Sequence, residues 1–245
     1  MNRMIALWAH PRSRSTVLER VFIERGDFEV FHEPFAHVAF NEQSAIPHDD
    51  LDCGLPRTYE GVKALLRKSR QHHHVFHKDM GYHCLDALKA DAEFLLEQQN
   101  VFIIREPGRA ILSHFAIYEQ MPEQAIGHKA LYEVFCQVTR LSGKIPYVIN
   151  AEDLARQPED TLRRLCDHLQ LEYCPQALHW EPCCPPQWQA WRSWHATAEQ
   201  STGIVAPTDD FDARQLDPHP RLLGFYQAHR PFYERMNQFA QGTSA

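Results

Sequence analysis

The sequence predicts an α/β fold in which helices flank a parallel sheet. Short apolar runs alternate along the chain with segments whose apolar residues recur at helical spacing, as at Val17, Leu18, Val21 and Phe22. Strands separated by helices indicate parallel pairing with helices on both faces. The chain has 245 residues without an internal repeat, and we expect one domain over 1–245 with a disordered tail after about residue 241.

The elements follow in order from these patterns. Strands are expected at Met4–Ala9, Phe28–His32, 75–78, 101–105 and 146–150. Helices are expected at Ser15–Arg25, 59–71, 85–99, 107–118, 131–142, Pro158–Leu169 and 218–240. Pro107 suits a first helical turn, and Pro158–Leu169 carries acids early and bases late, which complements the helix dipole. The proline-rich stretch 174–194 holds four of the five tryptophans and is expected to be irregular.

Composition excludes several classes of protein. A formal net charge of −7 gives no global positive field to hold nucleic acid, so an anion site requires a local concentration of positive groups. No apolar run approaches the roughly 20 residues of a membrane span, and Met4–Ala9 is too short for a signal sequence. Seven cysteines without a disulfide framework indicate reduced thiols, and we expect a cytoplasmic protein.

The loop 10–16, between the first strand and the first helix, has the chemistry of an anion site. It reads His10-Pro11-Arg12-Ser13-Arg14-Ser15-Thr16. Backbone N–H groups at a helix N-terminus, two arginines and three hydroxyls all favour phosphate. The loop lacks the glycines and the lysine of the nucleoside-triphosphate motif G-x-x-x-x-G-K-[ST], although Ser15 or Thr16 could still serve as a magnesium ligand. The alternative is an ordinary capped helix with solvated arginines.

Two stretches resemble the phosphate-binding motifs of the sulfotransferase family. The loop resembles the 5′-phosphosulfate-binding sequence P-R-S-x-S-T, and the stretch from Arg105 to Ser113 is similar to the 3′-phosphate motif R-[DE]-P-x-x-x-x-x-S. The resemblance implies that 3′-phosphoadenosine-5′-phosphosulfate (PAPS) is bound by Arg12, Ser13, Arg14, Ser15, Thr16, Arg105 and Ser113. It also implies a P-loop-type sheet of the sulfotransferase kind. The carboxyl ends of parallel strands are independently the expected ligand site.

Two weaker matches follow. Residues 150–159 resemble the family's strand-to-helix stretch Y-E-D-L-x-x-x-P-E, to which we assign a role in the fold. Residues 194–203 look like the late loop that closes over the nucleotide, which implies contacts from Ser201, Thr202 and Gly203. The better-known R-K-G-x-x-G form of that loop is absent.

Three residues are candidates for catalysis. Glu33, in the string H-E-P-F after the second strand, resembles the base of the carboxylate-using sulfotransferases. His32 is the second candidate, and strand alternation predicts that only one of the two reaches the site. Lys78, in K-D-M at the end of the third strand, could stabilise charge on the bridging oxygen, or it could be a surface lysine whose stem is buried.

The sequence therefore predicts a sulfotransferase that moves a sulfuryl group from PAPS to a hydroxyl of a small-molecule acceptor. The histidines at 72–74, 77 and 83 lack metal-binding spacing, so we expect a solvated loop and no metal. A P-loop kinase or nucleotide hydrolase, and a catalytically silent nucleotide-binding protein of the same fold, are the alternatives. The acceptor and the oligomeric state are not predicted.

Overall fold

A five-stranded parallel sheet, in the order β2-β3-β1-β4-β5, organises the computed structural model. The structure describes residues 2–40, 54–206 and 211–240. The strands are β1 (Met4–Ala9), β2 (Phe28–His32), β3 (His74–Met80), β4 (Gln99–Ile104) and β5 (Tyr147–Asn150). The predicted α/β class with a parallel sheet is confirmed. β3 extends beyond the predicted 75–78, so Lys78 lies within the strand rather than at its end.

Helices connect the strands. They are α1 (Ser15–Arg25), α2 (Ala36–Ala39), α3 (Tyr59–Arg70), α4 (Leu85–Ala90), α5 (Ala92–Leu96), α6 (Pro107–Phe115), α7 (His128–Ser142), α8 (Ala151–Arg156), α9 (Pro158–Leu169), α10 (Ala196–Glu199) and α11 (Pro220–Asn237). Short 3₁₀ helices lie at Glu123–Ile126, Pro175–Leu178, Pro186–Trp194 and Ala213–Leu216. None of the helices in the described ranges is long and apolar enough to cross a membrane.

Four predicted helices differ from those observed, and the one expected at 218–240 spans only Pro220–Asn237. The helix expected at 85–99 is divided at Asp91, whose carboxylate accepts a hydrogen bond from the Phe94 amide (3.0 Å) and so starts a new helix. The helix expected at 107–118 ends at Phe115, and α7 starts three residues before the predicted 131 because Gly127, at φ 83°, permits the turn. The predicted tail after residue 241 lies outside the described residues.

The core has one layer on each face of the sheet, and β1 supplies both. All six of its residues are buried. Ile5 and Leu7 pack with Leu18 and Phe22 of α1, whereas Trp8 belongs to the opposite layer with Phe102 and Val134. This division follows from the two-residue period of a strand, and burial of both faces explains why β1 is uniformly apolar.

Two histidines hold the end of β4 to the loop after β1. The Arg105 amide donates to His10 Nε2 (3.0 Å), and the Arg105 carbonyl accepts from His128 Nε2 (3.0 Å). The two imidazoles are buried and stacked, with ring centroids 3.7 Å apart. His10 Nδ1 donates to the Pro11 carbonyl at 3.0 Å, which leaves Nε2 as the acceptor and requires a neutral ring. We call His10, Arg105 and His128 the histidine clamp.

The clamp predicts an acid-sensitive fold. Burial lowers the pKa of His128 to about 3, and burial followed by repulsion from His128 lowers the pKa of His10. Below the unfolded value of about 6.5, the unfolded chain binds protons that the folded chain excludes. The free energy of unfolding should therefore fall as the pH falls from about 6.5 towards about 3, by up to about 1.4 kcal/mol per pH unit for each such histidine.

His128→Gln tests this directly. The glutamine amide can still donate to the Arg105 carbonyl but does not titrate, so we expect urea denaturation between pH 6.5 and pH 4 to show a shallower pH dependence than in the wild type. His72→Gln, at an exposed position, is the control and should leave the slope unchanged. An unchanged slope in His128→Gln would show that His128 does not make this contribution.

Candidate functional site

A cavity of about 670 Å³ lies at the loop between β1 and α1. Its walls also include residues that follow the ends of β2 and β4, together with the segment that contains α10. This is the position in which an open parallel α/β sheet binds its ligands. Of the predicted site residues, the cavity is lined by Arg12, Ser13, Arg14, Ser15, Thr16, Glu33, Arg105, Ser113, Ser201 and Gly203.

The loop between β1 and α1 has the backbone of an anion site. Arg12 and Arg14 adopt φ values of 62° and 65°, which non-glycine residues seldom adopt outside functional sites. Arg14 precedes α1 and makes no side-chain capping bond to it, so the first-turn amides have no acceptor from the cap side chain. The Ser13 hydroxyl is buried without a hydrogen-bond partner. These donors fit a phosphate group.

The arginines of the two predicted phosphate motifs meet here. Arg12 Nε donates to Ser113 Oγ (2.9 Å) and Arg12 Nη1 to the Trp194 carbonyl (2.8 Å). Arg105 Nη1 donates to the Arg12 carbonyl at 2.9 Å. Residues about a hundred positions apart in sequence thus form one cluster, as the order of the motifs predicts.

The cluster concentrates positive charge in a chain that is negative as a whole. Burial first, and then the charges of Arg14, Arg12 and Arg109, lower the pKa of Arg105 to about 10, although Glu152 opposes them. The Arg105 Nε lies 3.5 Å from the Glu152 carboxylate and makes no hydrogen bond. A bound anion would relieve this repulsion and use donors that have no partner at present.

The late loop reaches the cavity only in part. Ser201 and Gly203 line it, but Thr202 does not, and the Thr202 carbonyl instead accepts from the Trp180 amide (3.2 Å). The Ser201 hydroxyl accepts from Trp180 Nε1 (3.1 Å) and donates to the Ala198 carbonyl (2.7 Å). Thr202 is exposed beside the bridge between His179 and Gly203, and its contact with the nucleotide stays a prediction.

Glu33 lies at the other end of the cavity, paired with Lys78. Its amide donates to the Lys78 carbonyl (2.7 Å), and the Lys78 ammonium binds the Glu33 carboxylate. Burial alone would raise the pKa of Glu33, but Lys78, with His32 and His83, holds it well below its usual range. Lys78 is fully buried, which excludes the surface alternative, and its ammonium lies behind Glu33 rather than in the cavity wall.

Only Glu33 of the two candidate bases lines the cavity, as predicted, but strand alternation is not the reason. β2 ends at His32, and Glu33 adopts a left-handed conformation at φ 45° that interrupts the alternation. His32 Nε2 therefore lies 3.6 Å from the Glu33 carboxylate. Glu33 lines the cavity, and His32 lies behind it.

Sequence reasoning missed three members of this end of the site. Glu19 of α1 is fully buried and accepts from His32 Nδ1 (2.8 Å) and from Trp188 Nε1 (3.2 Å). His195 lines the cavity, with its Nε2 atom 3.0 Å from His32 Nε2. The sequence could have indicated Glu19, because it is an acidic residue beside Leu18 on the apolar face of α1. Trp188 lies in the stretch 174–194 that was predicted to be irregular, and His195 lies in the stretch 194–203, where the resemblance to the late loop did not single it out.

The histidine-rich stretch divides between surface and core. His72 and His73 are exposed, as a solvated loop requires, but His77 and His83 are buried and paired with Gln98 and Asp79. The solvated-loop prediction is wrong for these two because His77 lies in β3, which is buried from Val75 to Met80, and His83 lies in the buried turn that follows it. Among the residues that the structure describes, no group of histidine, cysteine and acidic side chains could hold a metal ion.

Sequence comparison finds two related plant proteins. Both are from Arabidopsis thaliana and are named branched-chain-amino-acid aminotransferase-like proteins 2 and 1. They are 30% and 28% identical over 216 residues, which is 83% of this chain. The chain spans only about a third of their length (36% and 37%).

Solved sulfotransferase structures share the fold. A sulfotransferase from Alicyclobacillus acidocaldarius superposes with a TM-score of 0.56 at 13% identity, and the match covers 98% of each chain. The sulfotransferase domain of the curacin biosynthetic pathway gives 0.52 at 13% identity, covering 100% of this chain and 93% of that one. Mouse sulfotransferase SULT7A1, solved in complex with 3′,5′-adenosine bisphosphate (PAP), gives 0.50 at 12% identity, covering 97% and 90%.

The sequence model of the family described as "Sulfotransferase domain" matches residues 2–240. That range contains both phosphate motifs and all five strands. The protein therefore belongs to the sulfotransferase domain family.

Proposed function

We propose that this sulfotransferase takes a sulfuryl group from PAPS and transfers it to a hydroxyl of a small molecule. The observation that carries the proposal is the meeting of Arg12, Arg105 and Ser113 in a cavity that is also lined by Ser13, whose buried hydroxyl has no partner. The neighbour solved with PAP supports the same class of nucleotide. The arginines favour this reading over a kinase or nucleotide hydrolase, which would require the lysine of the triphosphate loop.

Each phosphate of the donor has a proposed set of ligands. The loop 11–16, with Arg12, would hold the 5′-phosphate, while Arg105 and Ser113 would hold the 3′-phosphate. Since Arg12 Nε and Ser113 Oγ are hydrogen-bonded at 2.9 Å, the two sites share a border. Ser201 and Gly203 remain candidates for the nucleotide's outer face, because both line the cavity.

The chemistry needs charge stabilisation and a proton acceptor. In in-line transfer, the acceptor oxygen bonds to sulfur as the bond from sulfur to the 5′-phosphate oxygen breaks, leaving the electron pair on that phosphate. Arg12, Arg14 and the N-terminus of α1 can neutralise the departing phosphate, so we propose no metal. Glu33 lies at the cavity wall as the group to receive the hydroxyl proton.

Lys78 supports this role of Glu33. Its bond to the carboxylate keeps Glu33 ionised and able to accept a proton, although it also weakens Glu33 as a base. A direct contact between Lys78 and the bridging oxygen remains a prediction, and it would require the ammonium to leave Glu33.

The acceptor end of the cavity favours an uncharged hydroxyl compound. Phe40, His83 and Trp191 pack edge to face, with ring centroids 5.2 Å (Phe40 to His83) and 5.8 Å (Phe40 to Trp191) apart, and Tyr82 continues this wall. Among the described lining residues, arginine and lysine occur only at the phosphate end. An aromatic wall beside the ionised Glu33 therefore suits an apolar alcohol or phenol better than an anion. We also propose that the chain forms a single domain and that the protein is cytoplasmic.

Arg105→Ala should weaken the binding of PAP far more than the binding of 5′-AMP. Removing a charged hydrogen-bond partner of the 3′-phosphate should cost about 1.5–3 kcal/mol, or one to two decades in Kd, while 5′-AMP lacks that phosphate. Calorimetry with both nucleotides measures this. Arg109→Ala, on the neighbouring helix α6 but outside the cavity wall, is the control and should weaken both slightly and equally. Equal large losses in Arg105→Ala would remove Arg105 from the 3′ site.

Binding and turnover should be independent of divalent metal. We expect PAP to raise the melting temperature in the presence of a chelator, and labelled PAPS to support sulfation of acceptors from a metabolite extract under the same conditions, because arginines take the place of a cation. Stabilisation by ATP with magnesium, but not by PAP, would instead support the kinase alternative. Binding of PAP without sulfation of any acceptor would support the silent alternative.

Glu33→Gln should preserve PAP affinity and lower kcat. The amide has nearly the same size but cannot take a proton, so the loss should be about 10²–10⁴-fold for an alcohol acceptor at saturation. Glu29→Gln makes the same change on β2 at an exposed site away from the cavity and should leave kcat unchanged. Near-normal turnover in Glu33→Gln would assign the base to another group.

A further inference from the structure

We propose that His32, oriented by the buried carboxylate of Glu19, takes up the proton that Glu33 removes from the acceptor. The inference rests on the proposed sulfuryl transfer. It makes His32 and Glu19 positioning residues, which act through Glu33 and have no contact with the substrate. The pair provides a site for the proton inside the protein, behind the cavity wall.

The position of His32 suits this role. It is buried and absent from the cavity wall, but its Nε2 atom faces two groups that do line the cavity. Glu33 Oε1 lies at 3.6 Å and His195 Nε2 at 3.0 Å. A proton arriving at the wall therefore meets the same histidine behind either group.

Glu19 fixes which nitrogen of His32 is free to accept. Three donors surround its carboxylate, with His32 Nδ1 at 2.8 Å, Trp188 Nε1 at 3.2 Å and the Lys78 ammonium at 3.7 Å. An ionised carboxylate only accepts hydrogen bonds, so Nδ1 of His32 carries its proton and Nε2 carries the lone pair. His195 then donates from its own Nε2 to that lone pair.

Glu19, His32, Glu33, Lys78 and His195 form a buried cluster whose net charge favours binding of one additional proton. With both imidazoles neutral, Glu19 and Glu33 contribute two negative charges and Lys78 one positive charge. A buried net charge is costly, and one added proton removes it. Glu33 itself holds that proton poorly because Lys78 lowers its pKa. A proton received by Nε2 of His32, 3.6 Å away, would have the Glu19 carboxylate as its counter-charge on the far side of the ring.

Further charged or titratable groups affect this pair from the surrounding elements. Burial is the main cause that lowers the pKa of His195, and repulsion from His32 and Lys78 adds to it. A doubly protonated His195 ring is therefore unfavourable. The charged or titratable groups that face His32 and Glu33 from the surrounding elements are Glu19 on α1, His37 on α2, Lys78 on β3, His83 after β3, His195 before α10 and Arg12 in the loop between β1 and α1.

The proton and the bonds balance in one turnover. The hydroxyl proton moves to Glu33 as its oxygen bonds to sulfur, and the electron pair of the broken bond leaves on the 5′-phosphate. The proton then passes from Glu33 to Nε2 of His32, which no longer accepts from His195 and donates towards Glu33. After the products leave, it returns through Glu33 to solvent in the open cavity.

The test is ¹⁵N NMR of the full chain, labelled at histidine and saturated with PAP. Spectra of His32→Gln and His195→Gln assign the two rings. We expect neutral His32 to carry its proton on Nδ1. When the pH is lowered, we expect the first additional proton to bind to His32 rather than to His195. A neutral His32 with its proton on Nε2, or a His195 that is protonated first, would overturn the inference without any variant having to be active.

Kinetics of Glu19→Gln provide the second readout. Loss of the counter-charge should lower kcat tenfold or more at unchanged KM for PAPS, while Glu24→Gln, at an exposed position on the same helix, leaves both unchanged. Equal kcat values in the two variants would overturn the inference. PAP binding measured on the same samples separates the two proposals, because absence of PAP binding contradicts the sulfotransferase function, whereas a wrong tautomer with normal PAP binding contradicts only the role of His32.

Discussion

The junction between the ends of β1 and β4 determines the geometry of the site. These strands pair in parallel, with Trp8 opposite Phe102, so the chain leaves both at the same edge of the sheet. The histidine clamp then fixes the backbone of Arg105 against the loop after β1 on both its amide and its carbonyl. Because each arginine extends from a backbone fixed in this way, the two phosphate motifs lie side by side although they are far apart in sequence.

The cavity has two electrostatically opposite ends, and burial strengthens the contrast. Arg12, Arg14 and Arg105 gather positive charge at one end, where desolvation lowers the pKa of each guanidinium. At the other end, Glu33 and Glu19 share the single ammonium of Lys78. Sulfuryl transfer needs an anion-binding end and a proton-accepting end, and water-poor surroundings make both more effective.

The tryptophan-rich segment completes the wall that joins these ends. The 3₁₀ helix Pro186–Trp194 supplies Trp188 to Glu19 and the Trp194 carbonyl to Arg12, and His195 follows directly after it. Arg14 Nη1 reaches further along the chain to the Val205 carbonyl at 2.7 Å. Arg12 and Arg14, in the loop between β1 and α1, therefore hold residues 194–205 by hydrogen bonds. A ligand that drew these arginines towards itself would weaken those bonds.

The sequence by itself determined the parallel α/β sheet and the phosphate motifs, because strand and helix periodicity and short motifs are local properties. It also singled out Glu33, which lines the cavity and whose role as the base stays a prediction. Tertiary structure decided the remainder. The left-handed turn at Glu33 brought His32 beside it, β3 extended far enough to bury Lys78, and folding of the late segment delivered His195. These depend on one backbone torsion or on contacts between distant residues, 45 positions apart for Lys78 and Glu33 and 163 for His32 and His195, and neither leaves a periodic signal in the sequence.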